Sequence, residues 1–303
     1  MVLLLGSNIK IHFAGIDNSI PHKIAGDIAN VKYRLFTCYP FIVDKNSNQD
    51  FRFKNNKIFV PKLIDKDCKH VIMDSGLFTL MFGAKKNEVQ TIETLTEWQD
   101  RTVQFVKQNN LKCTCVEIDC QKVLGVEEAW YFRRRMKKLL PNNRHINVFH
   151  LEDGWDGLDR LIEFSDYIAI SVPELRLHRR KTYKKDVVHL AKYIKNKKPS
   201  IDIHLLGCTE IGILKQCTFC TSADSTSWLS ANRYGRFGKD HNHVNDIKEE
   251  VRSNYKEKIL HEMKKYPYWQ PKNIDNAIKY TTNAIVSAIC CKKDYEKACG
   301  SQD

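Results

Sequence analysis

No stretch of this chain approaches the ~18 uninterrupted apolar residues of a membrane-spanning helix. The opening MVLLLGSNIKIHFAG has a short apolar run but no basic region ahead of it, unlike a secretory signal. A cytoplasmic location with no membrane partner is therefore expected. No GxGxxG follows any expected strand, which weakens a dinucleotide-binding reading, and neither GxxxxGKS nor GxxxxGKT occurs. Internal repeats are lacking as well. The eleven cysteines are scattered and often sit in apolar runs, so with no export signal they read as reduced thiols. Cys217 and Cys220 form a CxxC, but no second pair lies at zinc-finger spacing. Core packing is the reading for most cysteines, with zinc at that CxxC the lesser alternative. Cys113 and Cys115, alternating along an expected strand, point to one face.

Acidic charge is in short supply. Asp and Glu number 36 against 49 Lys and Arg, a net charge of +13. The excess clusters at Arg133–Lys138, Arg176–Lys185, Lys195–Lys198 and Arg233–Lys239. Such a balance favours a polyanionic partner through phosphate neutralisation and counterion release. Arg133–Lys138 fits an ordinary solvated helix face, whereas Arg176–Lys185 directly follows an expected strand end.

What is present is a soluble, globular composition, 42% hydrophobic and 28% charged over 303 residues, enough for a substantial core. Short β-rich runs alternate with helical ones. Strands are expected at Lys10–Gly15, Lys32–Phe41, His70–Asp74, Cys113–Asp119, Ile146–Leu151, Tyr167–Val172, Ile201–Leu206 and Thr218–Ser222. Between or after them, helices are expected at Ile20–Ala29, Thr91–Gln108, Val126–Leu140, Leu158–Phe164, Lys184–Asn196, Glu210–Lys215, Asn245–Lys265 and Ile274–Cys291. Asp44–Lys57 reads as an inserted hairpin or loop and Pro61–Lys69 as a polar connection. Eight alternations point to a single-domain α/β (β/α)8 TIM-type barrel over about residues 8–240, with irregular early connections and a C-terminal helical segment over about 245–292.

Chemistry on such a barrel gathers at the C-terminal strand ends. The residues expected there are Asp74, Asp119, His150, the Ser171 to Glu174 turn, Gly207 and Asp224. Asp224 stands among small hydroxyl residues in CTFCTSADSTSW, where a substrate can approach closely. Any one of these acids alone reads as a helix cap or turn former. Three, each following an apolar run, are harder to explain that way.

Asp74-Ser75-Gly76 followed by Leu77-Phe78 resembles the DSGGFQ segment of the tRNA-guanine transglycosylase superfamily. Ile118-Asp119-Cys120 is similar to that family's strand-end acid that reads the base, and His150 stands where the family often has glutamine. Ile170–Glu174 and His204–Gly207 match its base-contacting turn and its strand ending in glycine, and Asp224 falls at its nucleophile. The ordered series spans about residues 70–238. Leu77 and Thr79 depart from the motif's second glycine and its glutamine. The zinc-binding CxCxxC of tRNA-acting members is not found, only Cys290, Cys291 and Cys299 following Asp224. The chain looks more like the divergent branch in phages and bacterial gene clusters that inserts 7-deazaguanine bases, the bases of queuosine chemistry, into DNA. The cytoplasm would then be a host's if the chain is phage-encoded.

The resemblance implies a transferase that exchanges guanine in DNA for a 7-deazaguanine such as 7-cyano-7-deazaguanine. Asp224 would be the nucleophile at C1′ and Asp74 the general acid/base. Asp119 would accept from the N–H edge of the base, and Ser75, Phe78, Ser171, Pro173, Glu174 and Gly207 would line it. For His150 two readings stand, a contact to the base carbonyl and a satisfied structural histidine. Arg176, Arg179, Arg180, Lys181, Arg233, Arg236 and Lys239 would hold nucleic-acid phosphates. No cofactor is implied. The same exchange on tRNA, and a catalytically inactive nucleic-acid-binding barrel, are the alternatives; a glycoside hydrolase is a more distant one.

Overall fold

The computed structural model describes residues 9–42, 68–77 and 89–303. Eight parallel strands close into a barrel in chain order, with β8 returning to β1. They are β1 (Lys10–Ala14), β2 (Tyr33–Thr37), β3 (His70–Asp74), β4 (Thr114–Val116), β5 (His145–Phe149), β6 (Tyr167–Ser171), β7 (Asp202–Leu206) and β8 (Ser222–Ser225). This is the (β/α)8 TIM-type architecture expected from the alternation. Around the strands run α1 (Ile20–Ile28), α2 (Tyr39–Ile42), α3 (Ile92–Gln108), α4 (Gln121–Leu124), α5 (Val126–Leu139), α6 (Gly154–Phe164), α7 (Val172–His178), α8 (Tyr183–Lys197), α9 (Ile211–Leu214) and α10 (Ser230–Tyr234). A two-stranded hairpin, β9 (Arg236–Phe237) and β10 (Asn242–His243), leads to α11 (Glu249–Met263) and α12 (Ile274–Cys299).

Period-two alternation sorts the strand side chains into two layers. Leu35, Ile72, Val116, Ile146, Val148, Tyr167 and Ala169 form one cluster inside the barrel. Their neighbours in sequence, such as Phe36, Val71, Met73, Cys115 and Ile168, join the larger cluster beneath the helices. Helix starts are marked locally. Ser19 caps α1, with Pro21 in its first turn, and Thr91 and Thr94 form a reciprocal capping box on α3. The final helix α12 packs on α1, tying the C-terminal segment to the start of the barrel. Among the described residues no helix is long and apolar enough to cross a membrane.

Several boundaries move. The run expected as one strand over Lys32–Phe41 splits into β2 and α2, because Pro40 has no N–H to give to a ladder. β4 keeps only three of the residues expected of Cys113–Asp119. α6 begins four residues before Leu158, and α12 continues eight residues beyond Cys291. The last strand, expected at Thr218–Ser222, is instead Ser222–Ser225. Residues 217–220 form a turn that buries Cys217 and Cys220, and the small residues behind it pair with Lys10–Phe13. The expected hairpin or loop at Asp44–Lys57 and most of the connection Pro61–Lys69 lie outside the described residues.

Arg133 corrects the solvated-face reading of its basic run. It is buried under the barrel wall, where its Nε and Nη2 bond both oxygens of Glu117 at 2.8 and 3.0 Å. Asn147 Nδ2 and the Val148 amide complete the Glu117 carboxylate. None of the eleven cysteines is joined in a disulfide, and Cys113 and Cys115 do share one buried face, their sulfurs 3.9 Å apart.

Candidate active site

Asp224 lies within β8 rather than in a loop beyond it, and is 7% exposed. Its Oδ1 accepts the Gly207 N–H at 2.7 Å and the His204 Nε2–H at 3.1 Å. Gly207 follows β7 with φ +62°, and a Cβ there would stand 2.8 Å from Pro173 Cγ. Glycine is therefore required for both conformation and space. Gly207, expected to line the base, has its N–H committed to Asp224.

Asp74 closes β3, and its Oδ1 accepts the Gly76 N–H at 2.7 Å. Gly76 has φ +74°, with Tyr39 Cβ only 2.6 Å from where its own Cβ would be. Burial pushes the Asp74 carboxyl up to about 6; the Gly76 bond opposes this, and the charges of Asp224 and Asp119 add to it. Both candidate catalytic carboxylates thus hang from a left-handed glycine at a C-terminal strand end. Asp119 follows β4, which stands directly across the eight-strand ring from β8.

Asp119 is coupled to His150. His150 Nε2 donates to Asp119 Oδ1 at 2.6 Å and Nδ1 donates to Glu174 Oε2 at 2.9 Å. Burial works against charge on the ring, but the two carboxylates overcome it and lift its pKa to about 10. The same cluster brings Glu174 down to about 2: burial opposes this and the bonds from His150 and Lys122 prevail. Both ring nitrogens of His150 are engaged, and the ring is held between Asp119 and Glu174. It clamps the acid expected to read the base.

The remaining expected residues divide. Ser171 ends β6, and Pro173 and Glu174 belong to the first turn of α7 rather than to a free turn. Ser75 is buried, and its carbonyl accepts from Trp98 Nε1 at 2.9 Å. Phe78 lies outside the described residues. Arg176, Arg179, Arg180 and Lys181 are exposed on α7 and the link to α8, on the same end of the barrel as the acids. Arg179, Arg180 and Lys181, with Lys122 and Glu174, line a groove of 720 Å³ beside the His150 cluster. Arg233, Arg236 and Lys239 are exposed after β8, around the 75% exposed Tyr234. A second cavity, of 640 Å³, opens at the opposite end around His70 and Thr114, away from the carboxylates.

Two parts of the site do not emerge from the sequence. Asp17, in the loop after β1, is 7% exposed and is pushed up to about 7, chiefly by burial and further by the Asp74 charge. A signal for it exists, since KIHFAGID has the same design of an apolar run ending in an acid. His204 reads in sequence only as part of a strand, yet it is fully buried against Asp224. Strand alternation turns it inward with Asp224.

No three His, Cys, Asp or Glu side chains among the described residues stand close enough to hold a metal ion. Cys290, Cys291 and Cys299 are strung along α12 and do not form the ligand set of a zinc site. No family model matches the chain, and no curated protein does. Among solved structures the chain is similar to QR15, an aldolase, at 13% identity and a TM-score of 0.43, over 75% of this chain and 93% of that one.

Proposed function

We propose that this chain is a base-exchange transglycosylase that replaces guanine in DNA with a 7-deazaguanine derivative. The observation that carries the reading is the pair Asp224 and Asp74. They are two carboxylates at one barrel mouth with different donors, and burial raises Asp74 toward the range a general acid needs. In the first half-reaction an Asp224 oxygen attacks C1′, the bond from C1′ to the guanine ring nitrogen breaks, and Asp74 supplies the proton the departing base takes up. In the second, the ring nitrogen of the incoming base attacks C1′, its proton passes to Asp74, and the bond to Asp224 breaks. Two displacements retain configuration, as in retaining glycosidases, with a base in place of water.

Asp119, held through one oxygen by His150, offers the other to the N–H edge of the purine. The target nucleotide must leave its stack to reach the mouth. The exposed basic residues beside the groove suit its phosphates.

Base exchange with labelled guanine or 7-cyano-7-deazaguanine, on DNA and tRNA in parallel and with Asp224→Ala as control, tests the reading. Incorporation into DNA that Asp224→Ala abolishes is expected. Labelling of tRNA alone would assign the same chemistry to the other polymer, and no incorporation into either would leave the inactive nucleic-acid-binding barrel.

A further inference from the structure

We propose that His204, Ser222 and Tyr167 form a one-way hydrogen-bonded relay through the barrel interior that pins Oδ1 of Asp224 and turns its other oxygen to the sugar. This rests on the role of Asp224 proposed above and adds positioning residues to it. The distances run in series: Tyr167 hydroxyl to Ser222 Oγ 2.5 Å, Ser222 Oγ to His204 Nδ1 2.5 Å, and His204 Nε2 to Asp224 Oδ1 3.1 Å. Parallel pairing sets this up, because β7 and β8 align His204 with Ser222 and so put Asp224 two residues further along the same inner face. All four residues are buried, Asp224 the most exposed at 7%.

The proton directions follow from the end of the chain. An ionised carboxylate only accepts, so Nε2 of His204 carries the proton it donates. In the neutral ring Nδ1 is then an acceptor, the Ser222 hydroxyl must donate to it, and the Ser222 oxygen is left to accept from Tyr167. An imidazolium would donate from Nδ1 as well and leave one hydroxyl proton, that of Ser222 or that of Tyr167, without an acceptor among the described residues. Every proton in the series therefore points at Asp224.

Such a relay acts most when charge returns to the carboxylate. In the second half-reaction the bond from C1′ to Asp224 breaks, and the His204 N–H is in place for the anion that forms. Removing the relay should slow this step more than the first. Tyr167→Phe and Ser222→Ala, which keep shape or nearly so, are expected to lower kcat about 10-fold with kcat/KM for the nucleic acid little changed, and to raise the fraction of protein trapped as the covalent adduct. His204→Gln, which retains a donor, should recover part of what His204→Ala loses. Unchanged kcat in Tyr167→Phe and Ser222→Ala, with only thermal stability reduced, would overturn the relay.

Nitrogen NMR of the full chain decides the geometry apart from any activity. The expected signature is His204 as the neutral Nε2–H tautomer, altered by Ser222→Ala. An Nδ1–H tautomer or an imidazolium at neutral pH would sink the relay. A wild-type chain that exchanges no base but keeps the expected tautomer would remove the functional reading while supporting the relay.

Discussion

The amide of Gly207 donates to Asp224 Oδ1 over 2.7 Å from a backbone that only glycine adopts freely. Gly207→Ala would force a Cβ to within 2.8 Å of Pro173 Cγ and strain a φ of +62°. A left-handed non-glycine residue costs about 1–3 kcal/mol, and relieving the clash would draw the amide away from Asp224. The expected result is a comparable loss of stability in urea and at least a 10-fold drop in exchange rate. A variant as active as wild type would detach this amide from the chemistry.

Asp74 predicts a pH dependence for guanine departure. Its carboxyl, raised to about 6 by burial first and by Asp224 and Asp119 besides, holds the needed proton below that pH and loses it above. Single-turnover release of labelled guanine should fall as pH rises through about 6. Asp74→Asn should flatten that limb as well as lower the rate.

Asp17 bears on stability. Its folded pKa is raised above the ordinary 3.8 to about 7 by burial, so the folded chain holds this proton more tightly than the unfolded one. Stability from this group is then greatest below about pH 4 and is lost as pH rises to about 7. Asp17→Asn, which cannot ionise, should stabilise the protein above pH 7 by more than about 1 kcal/mol and have little effect near pH 4. Denaturant titrations at the two pH values measure the difference.

The His150 clamp also loses stability as pH rises, but over a higher range. A histidine raised to about 10 by Asp119 and Glu174 stabilises fully below about pH 6.5, and the contribution disappears as pH rises through about 10. Glu174, lowered to about 2, contributes above about pH 4.5 and loses its part as pH falls toward 2. Breaking a buried, paired charge costs about 3–5 kcal/mol, so His150→Ala should destabilise by that order at pH 5.5 and by less at pH 9.5. An equal penalty at both would mean the ring is held neutral.

The basic rim predicts salt dependence. DNA binding should weaken steeply as salt rises. Replacing Arg179, Arg180 and Lys181 together by alanine should reduce the slope of log K against log salt by up to about 2.7, at about 0.9 for each phosphate no longer neutralised. A flat profile in the wild-type chain would argue against a nucleic-acid substrate.

The architecture was legible because it rests on local patterns. Apolar runs of strand length recur between amphipathic stretches, and several end in an acid followed within two residues by glycine or another small residue. From these the eight strands, the mouth of the barrel and the candidates Asp74, Asp119 and Asp224 followed directly. Glu117 and Arg133 show where such reading stops. In sequence one is an acid inside CVEIDC and the other the first of a basic run on a helix. Only when α5 packs on the barrel wall do they meet at 2.8 Å, out of water, and become a pair neither of which can be lost alone.

The sequence by itself determined the alternation, the shared face of Cys113 and Cys115 and the acids that close apolar runs, since period and backbone sterics act over a few residues. Only the tertiary structure decided what each ionisable group is bound to. Closure of β8 onto β1 and β7 puts His204 on Asp224, burial raises Asp17 and Asp74, and two carboxylates converge on His150. Desolvation and hydrogen bonding depend on neighbours in space, and the partners here stand far apart along the chain.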